Sequence, residues 1–571
     1  MDARLAWLRW AFTAGLSVLC LRVTDLQLLR GATYRQLADQ NRLRLIWEPA
    51  PRGLIVDRQG RVLAGNATIF ELSVIPQDVK NLPATLERLG SLTGRPVEEL
   101  AQAFRREQSL PFLPVPLVEH LSKDLAIRLE ESRRSLPGVL IRVEPLRTYP
   151  LGTRAAHVLG YLGWPSAEEF PLLKPYGVRP KEYIGKAGLE QALDHALRGR
   201  SGGQLVEVDH RAHQVRTLDR LAPEPGARVT LTIDASLQAL IEQLFGSQPG
   251  AAVVLEASTG AVLAMVSVPA FSPEAFLAPS RREIAALLDD PLSPLMNRAA
   301  VGVYQPGSIV KLVTGATALE DHVITPQTAL TCSGALTIGD RAIRCWNRDG
   351  HGPLVLREAL RESCNVYFMQ LGRRLGAQRL ETGMMQMGLA HRTGWPLQEQ
   401  AGHLPSRRLT EGEVALLAIG QGEIVITPLR AAVMAAAFAN QGRLVTPWIV
   451  ERVEGRPVPR PAPLKRLPWS PSVFEAIREG MRAVVQEPGG TGFRANSPHI
   501  SVAGKTGTAQ TGVPGSTHAW FVGFCPVEGP RIAIAVVAEN GGSGGDLPAE
   551  IGRNICEWLA AESLGGADPL R

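Results

Sequence analysis

The sequence predicts an α/β protein of the α+β kind, with one antiparallel sheet flanked by helices in its C-terminal part. Three observations carry this. Val229–Ile233, Ala251–Leu255 and Ala261–Val266 read as strands, the last two joined as a hairpin by Ala257-Ser-Thr-Gly260. Ile500–Ala503, Ala519–Phe524 and Arg531–Ala538 repeat the strand pattern near the end of the chain. Between the two groups run alanine- and leucine-rich helical segments such as Glu413–Ile419 and Leu429–Asn440. Strands at both ends of a domain with helices between them fold most simply as one sheet covered by helices.

At 571 residues the chain exceeds a single core, so more than one domain is expected. Hydrophobic content of 45% and charged content of 20% are ordinary for a globular protein. The net charge of +6 is spread thinly, and no Lys/Arg run interleaves with aromatics, so nucleic acid is not expected as a partner. A weakly basic surface suits an anionic membrane or cell-envelope substrate.

Trp10–Leu21 is an uncharged, mostly apolar run bounded by Arg9 and Arg22. Extended to Leu5–Leu29 it reaches the ~20 residues a bilayer needs, with Arg9 snorkelling at one end. No small-x-small cleavage site follows Leu21, which favours a retained anchor over a cleaved signal peptide. Arginines flank both ends, so charge bias does not set the orientation. Residues 1–4 are then a short cytoplasmic tail and the large remainder faces outward.

A helical stretch is expected to continue to about Arg44, ending before Pro49-Ala-Pro51. Residues 30–225 read as a mixed domain. It holds short strands at Leu54–Asp57 and Phe70–Val74, and helices over Thr85–Leu100 and Ser122–Ser135. Leu221-Ala-Pro-Glu-Pro-Gly226 is a linker, and residues 226–571 form the second domain. The six cysteines include no Cys-x-x-Cys pair and are too sparse for a disulfide framework or a zinc ribbon, so no metal site is expected. Cys332 and Cys345 either pair with each other or stand as isolated buried thiols.

Chemistry concentrates around the lysines. Only eight of the 61 basic residues are lysine; the rest are arginine, which cannot be deprotonated. Lys311 lies in Tyr304-Gln-Pro-Gly-Ser-Ile-Val-Lys311, where Pro306-Gly307 turns into an almost uncharged helical run. Three residues apart, Ser308 and Lys311 share a helix face. Burial and the helix N-terminus both push Lys311 toward a neutral amine able to take the Ser308 proton. A second element, Lys505-Thr506-Gly507-Thr508, places a lysine at a strand's end before a glycine-containing turn. Its cation and hydroxyls suit a carboxylate, and Gly507 would let a substrate lie close to the backbone. The third is Ser363-Cys364-Asn365, weak alone and significant through its order between the other two.

Ser-x-x-Lys, Ser-x-Asn and Lys-Thr-Gly in this order resemble the signature of penicillin-binding proteins and serine β-lactamases. The rest of the chain is similar to the class B penicillin-binding proteins almost end to end. The matching stretches include Arg52-Gly-Leu-Ile-Val-Asp-Arg58, Tyr149-Pro150, His157-Val-Leu-Gly-Tyr161, Gly185-Lys-Ala-Gly-Leu-Glu190, Leu197-Arg-Gly199, Gly420-Gln-Gly422 and Thr427-Pro428. Arg344-Cys-Trp346 followed by Gly350-His-Gly352 looks like the elongation type more than the division type. Two departures stand out: Ile309 where the family usually has threonine, and Cys364 in place of a common serine.

The resemblance implies a penicillin-binding transpeptidase/β-lactamase-like domain preceded by a non-catalytic pedestal of the dimerisation type and one transmembrane helix. It implies Ser308 as the nucleophile on a D-Ala–D-Ala stem peptide, Lys311 as base, and Ser363 as proton carrier to the leaving amine. Asn365 would hold the substrate amide and Lys311. Lys505, Thr506 and Thr508 would bind the terminal carboxylate, with Gly507 in the same strand. The backbone N–H groups of Ser308 and Thr508 would form the oxyanion hole. No cofactor is implied. The implied partners are peptidoglycan stem peptides, lipid-linked or in nascent glycan, a RodA-type SEDS glycosyltransferase in the inner (cytoplasmic) membrane, other elongation-complex proteins, and β-lactams as covalent inhibitors. Arg22 and Asp25 either pair toward that membrane partner or lie at headgroup level. A β-lactamase is disfavoured, because no deacylating Glu-x-x-Leu-Asn lies between Ser363 and Lys505. A D,D-carboxypeptidase, a β-lactam sensor and a scaffold that activates the glycosyltransferase remain the alternative readings.

Overall fold

The computed structural model describes residues 2–31, 43–107, 110–111, 113–178, 182–209, 214–277, 281–511 and 515–563. The N-terminal helix Asp2–Thr24 runs into a π-helical turn at Asp25–Leu29. Leu5–Leu29 is long and apolar enough to cross a membrane, with mean hydropathy 1.3, and none of it is buried among the described residues. Arg22 pairs with Asp25 at 2.7 Å, and Arg30 reaches the same carboxylate at 3.2 Å. Most of the helical stretch expected to end near Arg44 lies outside the described residues. Its end is corrected: Arg44 belongs to the strand Leu43–Glu48.

The chain forms two compact units. The first comprises residues 1–53, 66–147 and 198–226; the second takes 54–65, 148–197 and 227–571. Two segments before the Leu221–Gly226 linker therefore fold with the C-terminal mass. In the first unit Phe70–Val74 pairs antiparallel with Val115–Leu121. The single helix expected over Thr85–Leu100 is two, Leu82–Thr93 and Val97–Glu107, because the chain stops at Gly94 and Pro96 cannot continue a helix. Leu86, Leu89, Leu100 and Phe104 still meet Leu72 and Val74 in one core.

In the second unit the elements needed below run in chain order. Helix α1 is Ala235–Phe245, and strands β1 and β2 are Gly250–Glu256 and Val262–Val268. A short 3-10 turn, Gly307–Val310, leads into α2, Lys311–Glu320. The hairpin β3–β4 is Ala335–Ile338 and Arg341–Arg344, followed by α3, Leu356–Arg361, and α4, Asn365–Gln386. Helices α5 and α6 are Pro428–Ala439 and Pro471–Gln486. Strands β5, β6 and β7 are Ala503–Gln510, Thr517–Cys525 and Ile532–Ala538, and α7 is Leu547–Ser563.

Five of the six expected strands make one antiparallel sheet in the order β2–β1–β7–β6–β5. The sixth is corrected, since Val229–Leu231 pairs instead with Ile55–Val56 and Val450–Val453 in a separate sheet. One face is covered by α1 and α7, through Leu237, Ile241, Phe245, Ile551, Ile555 and Leu559. The other carries α5, which is buried along its whole length, and α2 behind it. Covered on both faces, β1 and β7 read as unbroken apolar runs rather than alternating ones. The strand expected at Ile500–Ala503 in fact begins at Ala503, so the Lys505-Thr-Gly-Thr508 motif lies inside β5 and not in a turn after a strand. A disulfide joins Cys525 at the end of β6 to Cys556 on α7, while Cys332 and Cys345 are free thiols. The bridge escapes a spacing argument because its halves are 31 residues apart on a strand and a helix.

Candidate active site

Three separate pieces of chain converge on one cleft, lined by Ser308, Ser363, Asn365, Thr506, Gly507 and Thr508 among others. Ser308 sits in the 3-10 turn that opens α2, half-buried at the cleft wall. Gly307 has φ +55°, and a Cβ there would lie 2.7 Å from the Thr508 carbonyl oxygen. A glycine is therefore required for the turn carrying Ser308 to lie against β5. Gly507 serves the same approach from the other side: its missing Cβ would strike Pro306 O at 2.9 Å and the side chains of Ile309 and Trp520. This corrects the expectation that Gly507 makes room chiefly for substrate.

Lys311 opens α2 and is fully buried. Its Nζ donates to Asn365 Oδ1 at 2.7 Å, to the Ser363 carbonyl at 2.8 Å and to Ser363 Oγ at 3.3 Å. The expected direct bond to Ser308 is not made; among the described residues the Ser308 hydroxyl has no hydrogen-bond partner. A buried amine turns to its strongest acceptors, and the carbonyl and amide oxygens outrank a hydroxyl. Burial lowers Lys311 to about 7, so that near neutral pH a large fraction of it is uncharged.

Ser363 and Asn365 are held by a helix-to-helix junction. The helix α3 ends at Arg361, and Ser363 follows in the left-handed region with φ 53°. Cys364 then caps α4, its Sγ accepting from Tyr367 N at 3.4 Å, and Asn365 is the first helical residue. A non-glycine residue at that φ costs on the order of 1–3 kcal/mol and persists where the surroundings over-determine it. Here the Lys311 bonds on both flanks do so.

In β5 the residues alternate. Thr506 and Thr508 face the cleft, Thr506 Oγ1 bonding Thr491 Oγ1 at 2.7 Å. Lys505 points the other way: it is fully buried and its Nζ donates to the Thr506 carbonyl at 3.0 Å. Burial, and then repulsion from Lys311, hold it well below the usual lysine range. Of the expected site residues, Lys505 therefore stands behind the wall that Thr506 and Thr508 form.

The sequence spacing suggests no metal site, yet the fold assembles a candidate one. Cys332, Cys345, His351 and Cys364 bring three sulfurs and an imidazole nitrogen within 4.8 Å of one another. His351 Nδ1 lies 3.4 Å from Cys332 Sγ and 3.7 Å from Cys345 Sγ, while its Nε2 faces Glu362 at 3.8 Å. Such a carboxylate behind a ligating imidazole fixes the ring. A hydrogen bond from Cys364 lowers the Cys345 thiol below the usual cysteine range, toward the thiolate form that a metal binds. Four soft donors in this arrangement fit a tetrahedral zinc ion. The departure at Cys364 is explained by its place in the cluster. We expect about one zinc per chain by elemental analysis, and loss of metal with a thermal midpoint several degrees lower in Cys332→Ser. Metal-free protein as stable as the untreated form would rule the site out.

Comparison with known proteins places the whole chain in a family. The penicillin-binding protein transpeptidase domain model matches residues 250–557, and the penicillin-binding protein dimerisation domain model matches 47–231. The peptidoglycan D,D-transpeptidase MrdA of Escherichia coli strain K12 is 32% identical over 571 aligned residues, covering 92% of this chain and 89% of its own. The protein of the same name from Haemophilus influenzae is 31% identical, covering 96% and 90%. The complex of penicillin-binding protein PBP2 with MreC from Helicobacter pylori aligns with TM-score 0.80 at 27% identity, over 92% of this chain and 99% of that one. A peptidoglycan synthase complex that coordinates polymerization and crosslinking aligns with TM-score 0.75 at 32% identity, over 99% of both chains. With both domain models matched in order and one convergent serine–lysine cleft, the chain belongs to the penicillin-binding protein transpeptidases, as a homologue of the MrdA (PBP2) group.

Proposed function

We propose that Ser308 is the nucleophile with which this peptidoglycan D,D-transpeptidase cross-links stem peptides. The supporting observation is the single cleft in which the half-buried Ser308 meets Ser363, Asn365 and the Thr506–Thr508 edge of the sheet, with Lys311 behind it. As Ser308 Oγ bonds to the penultimate D-Ala carbonyl, its proton passes to neutral Lys311. Ser363, already bonded to Lys311, carries a proton to the nitrogen of the departing D-alanine as the C–N bond breaks. The N–H groups of Ser308 and Thr508, held together by the Gly307 contact, receive the oxyanion. Thr506 and Thr508 take the terminal carboxylate. Its negative charge offsets the repulsion between the two buried lysines behind that wall. An amine of a neighbouring stem then attacks the acyl-enzyme and completes the cross-link.

Residues 226–571 are the transpeptidase domain and 30–225 its pedestal, except that 54–65 and 148–197 fold into the transpeptidase unit. Leu5–Leu29 is a single-pass anchor in the cytoplasmic membrane with the catalytic domain outside. The likeness to a synthase complex and to a complex with MreC supports work in cell elongation beside a RodA-type SEDS glycosyltransferase and other elongation proteins. Incubation with a penicillin should add one drug mass to the intact chain, and digestion should place it on the peptide containing Ser308. An adduct on any other serine overturns the assignment.

A further inference from the structure

The β3–β4 hairpin hangs over the same cleft. Its strands pair Ala335 with Arg344 at the base and Ile338 with Arg341 at the tip. Arg341, Ala342, Ile343 and Arg344, and then Trp346, all line the cleft that holds Ser308. Both arginines are exposed, and among the described residues neither has an ion-pair or hydrogen-bond partner. Among the described residues twenty line the cleft and none of them is Asp or Glu, so its charge comes from these two guanidiniums. Three residues apart on an extended strand, their backbones stand about 10 Å from each other and their side chains leave the strand on opposite faces, so each addresses its own position at the cleft.

The hairpin is fixed at its root to the catalytic turn. β3 begins three residues after Cys332, β4 runs directly into Cys345, and Cys345 N donates to Gly334 O at 2.8 Å. The sulfurs of Cys332 and Cys345 meet that of Cys364, the residue between Ser363 and Asn365. Trp346 Nε1 donates to the Glu362 carbonyl at 3.0 Å, one residue before Ser363, and leaves most of its indole exposed in the cleft. Unpaired guanidiniums held at a set distance from the nucleophile match carboxylates, which they bind in a fork. The terminal carboxylate is already assigned to Thr506 and Thr508, across the cleft on β5. What remains for the hairpin is the part of the donor before the scissile bond.

We propose that Arg341 and Arg344 recognise carboxylate groups carried by the acyl-donor peptide upstream of the scissile bond, making the β3–β4 hairpin the donor-specificity element. Trp346 gives the intervening aliphatic chain an apolar wall. The proposal rests on the transpeptidase reading of Ser308, and its test separates the two.

Full-length protein in detergent is given matched synthetic donor peptides ending in D-Ala–D-Ala that differ only in carrying an upstream carboxylate or the corresponding carboxamide. Acylation kcat/KM should favour the carboxylate by about tenfold to a hundredfold, the range for one or two charge-assisted contacts. The preference should shrink with added salt. In the Arg341→Ala/Arg344→Ala double variant, checked for an unchanged thermal midpoint, it should fall to about one, and Arg341→Lys/Arg344→Lys should restore part of it. Equal use of both donors by the unaltered protein overturns the proposal without needing a variant, as does a preference that survives the double substitution. If penicillin fails to acylate the unaltered protein at Ser308, the transpeptidase assignment fails; acylation with no donor preference removes the hairpin proposal alone.

Discussion

Ser308→Ala is expected to abolish acyl-enzyme formation, lowering penicillin acylation and peptide cross-linking by ~10³-fold or more. No neighbouring hydroxyl is expected to substitute, because Ser363 is bonded to Lys311 and fixed in a left-handed turn. Stability should hardly move. The half-buried hydroxyl has no hydrogen-bond partner among the described residues, so its removal falls within the ~0.5 kcal/mol of an ordinary exposed substitution. Intact mass after drug exposure reads the first expectation and thermal unfolding the second. The same variant separates catalysis from scaffolding: glycan polymerisation by a membrane partner should continue while cross-links vanish. Persistent labelling in this variant would sink the nucleophile assignment.

Lys311→Met should reduce acylation by about 10²- to 10⁴-fold, the contribution of a positioned general base. Methionine keeps the volume of the buried side chain, so the loss reports chemistry more than packing. In the unaltered protein the acylation rate constant should follow the neutral amine. Burial lowers Lys311 from the usual lysine value to about 7, which makes the amine mostly charged below that pH and mostly neutral above it. Acylation should therefore climb as pH rises through about 7 and level off above. At pH 6 it should be about a tenth of the plateau. A profile flat from pH 5.5 to 8.5 would mean that another group accepts the Ser308 proton.

The motifs that meet in one cleft were legible in the sequence because each is a run of neighbours along the chain. Ser308 and Lys311 are one helical turn apart, and scarce lysines mark both basic motifs. The sheet was legible for a similar reason: strands covered on both faces must be apolar throughout. What escaped depends on register and on distant pairs. Which way Lys505 points follows from the pairing of Lys505 with Val522 and Thr506 with Phe521, which no single strand reveals. The left-handed backbone at Ser363 arises where two helices join, at a position usually given to glycine. Cys332, Cys345, His351 and Cys364 come from different elements, so their spacings carried no signal until the hairpin folded back.

Those thiols also bear on how the chain matures. One pair, Cys525 and Cys556, must be oxidised, while three others a few ångströms apart end as thiols. In the proposed location outside the cytoplasm the same oxidant would reach both sets, and crowded sulfurs are the readier to couple wrongly. A metal ion captured before oxidation would mask the three and leave the strand-to-helix pair to close by itself. The order of the two events would then decide whether a newly made molecule is usable or scrambled.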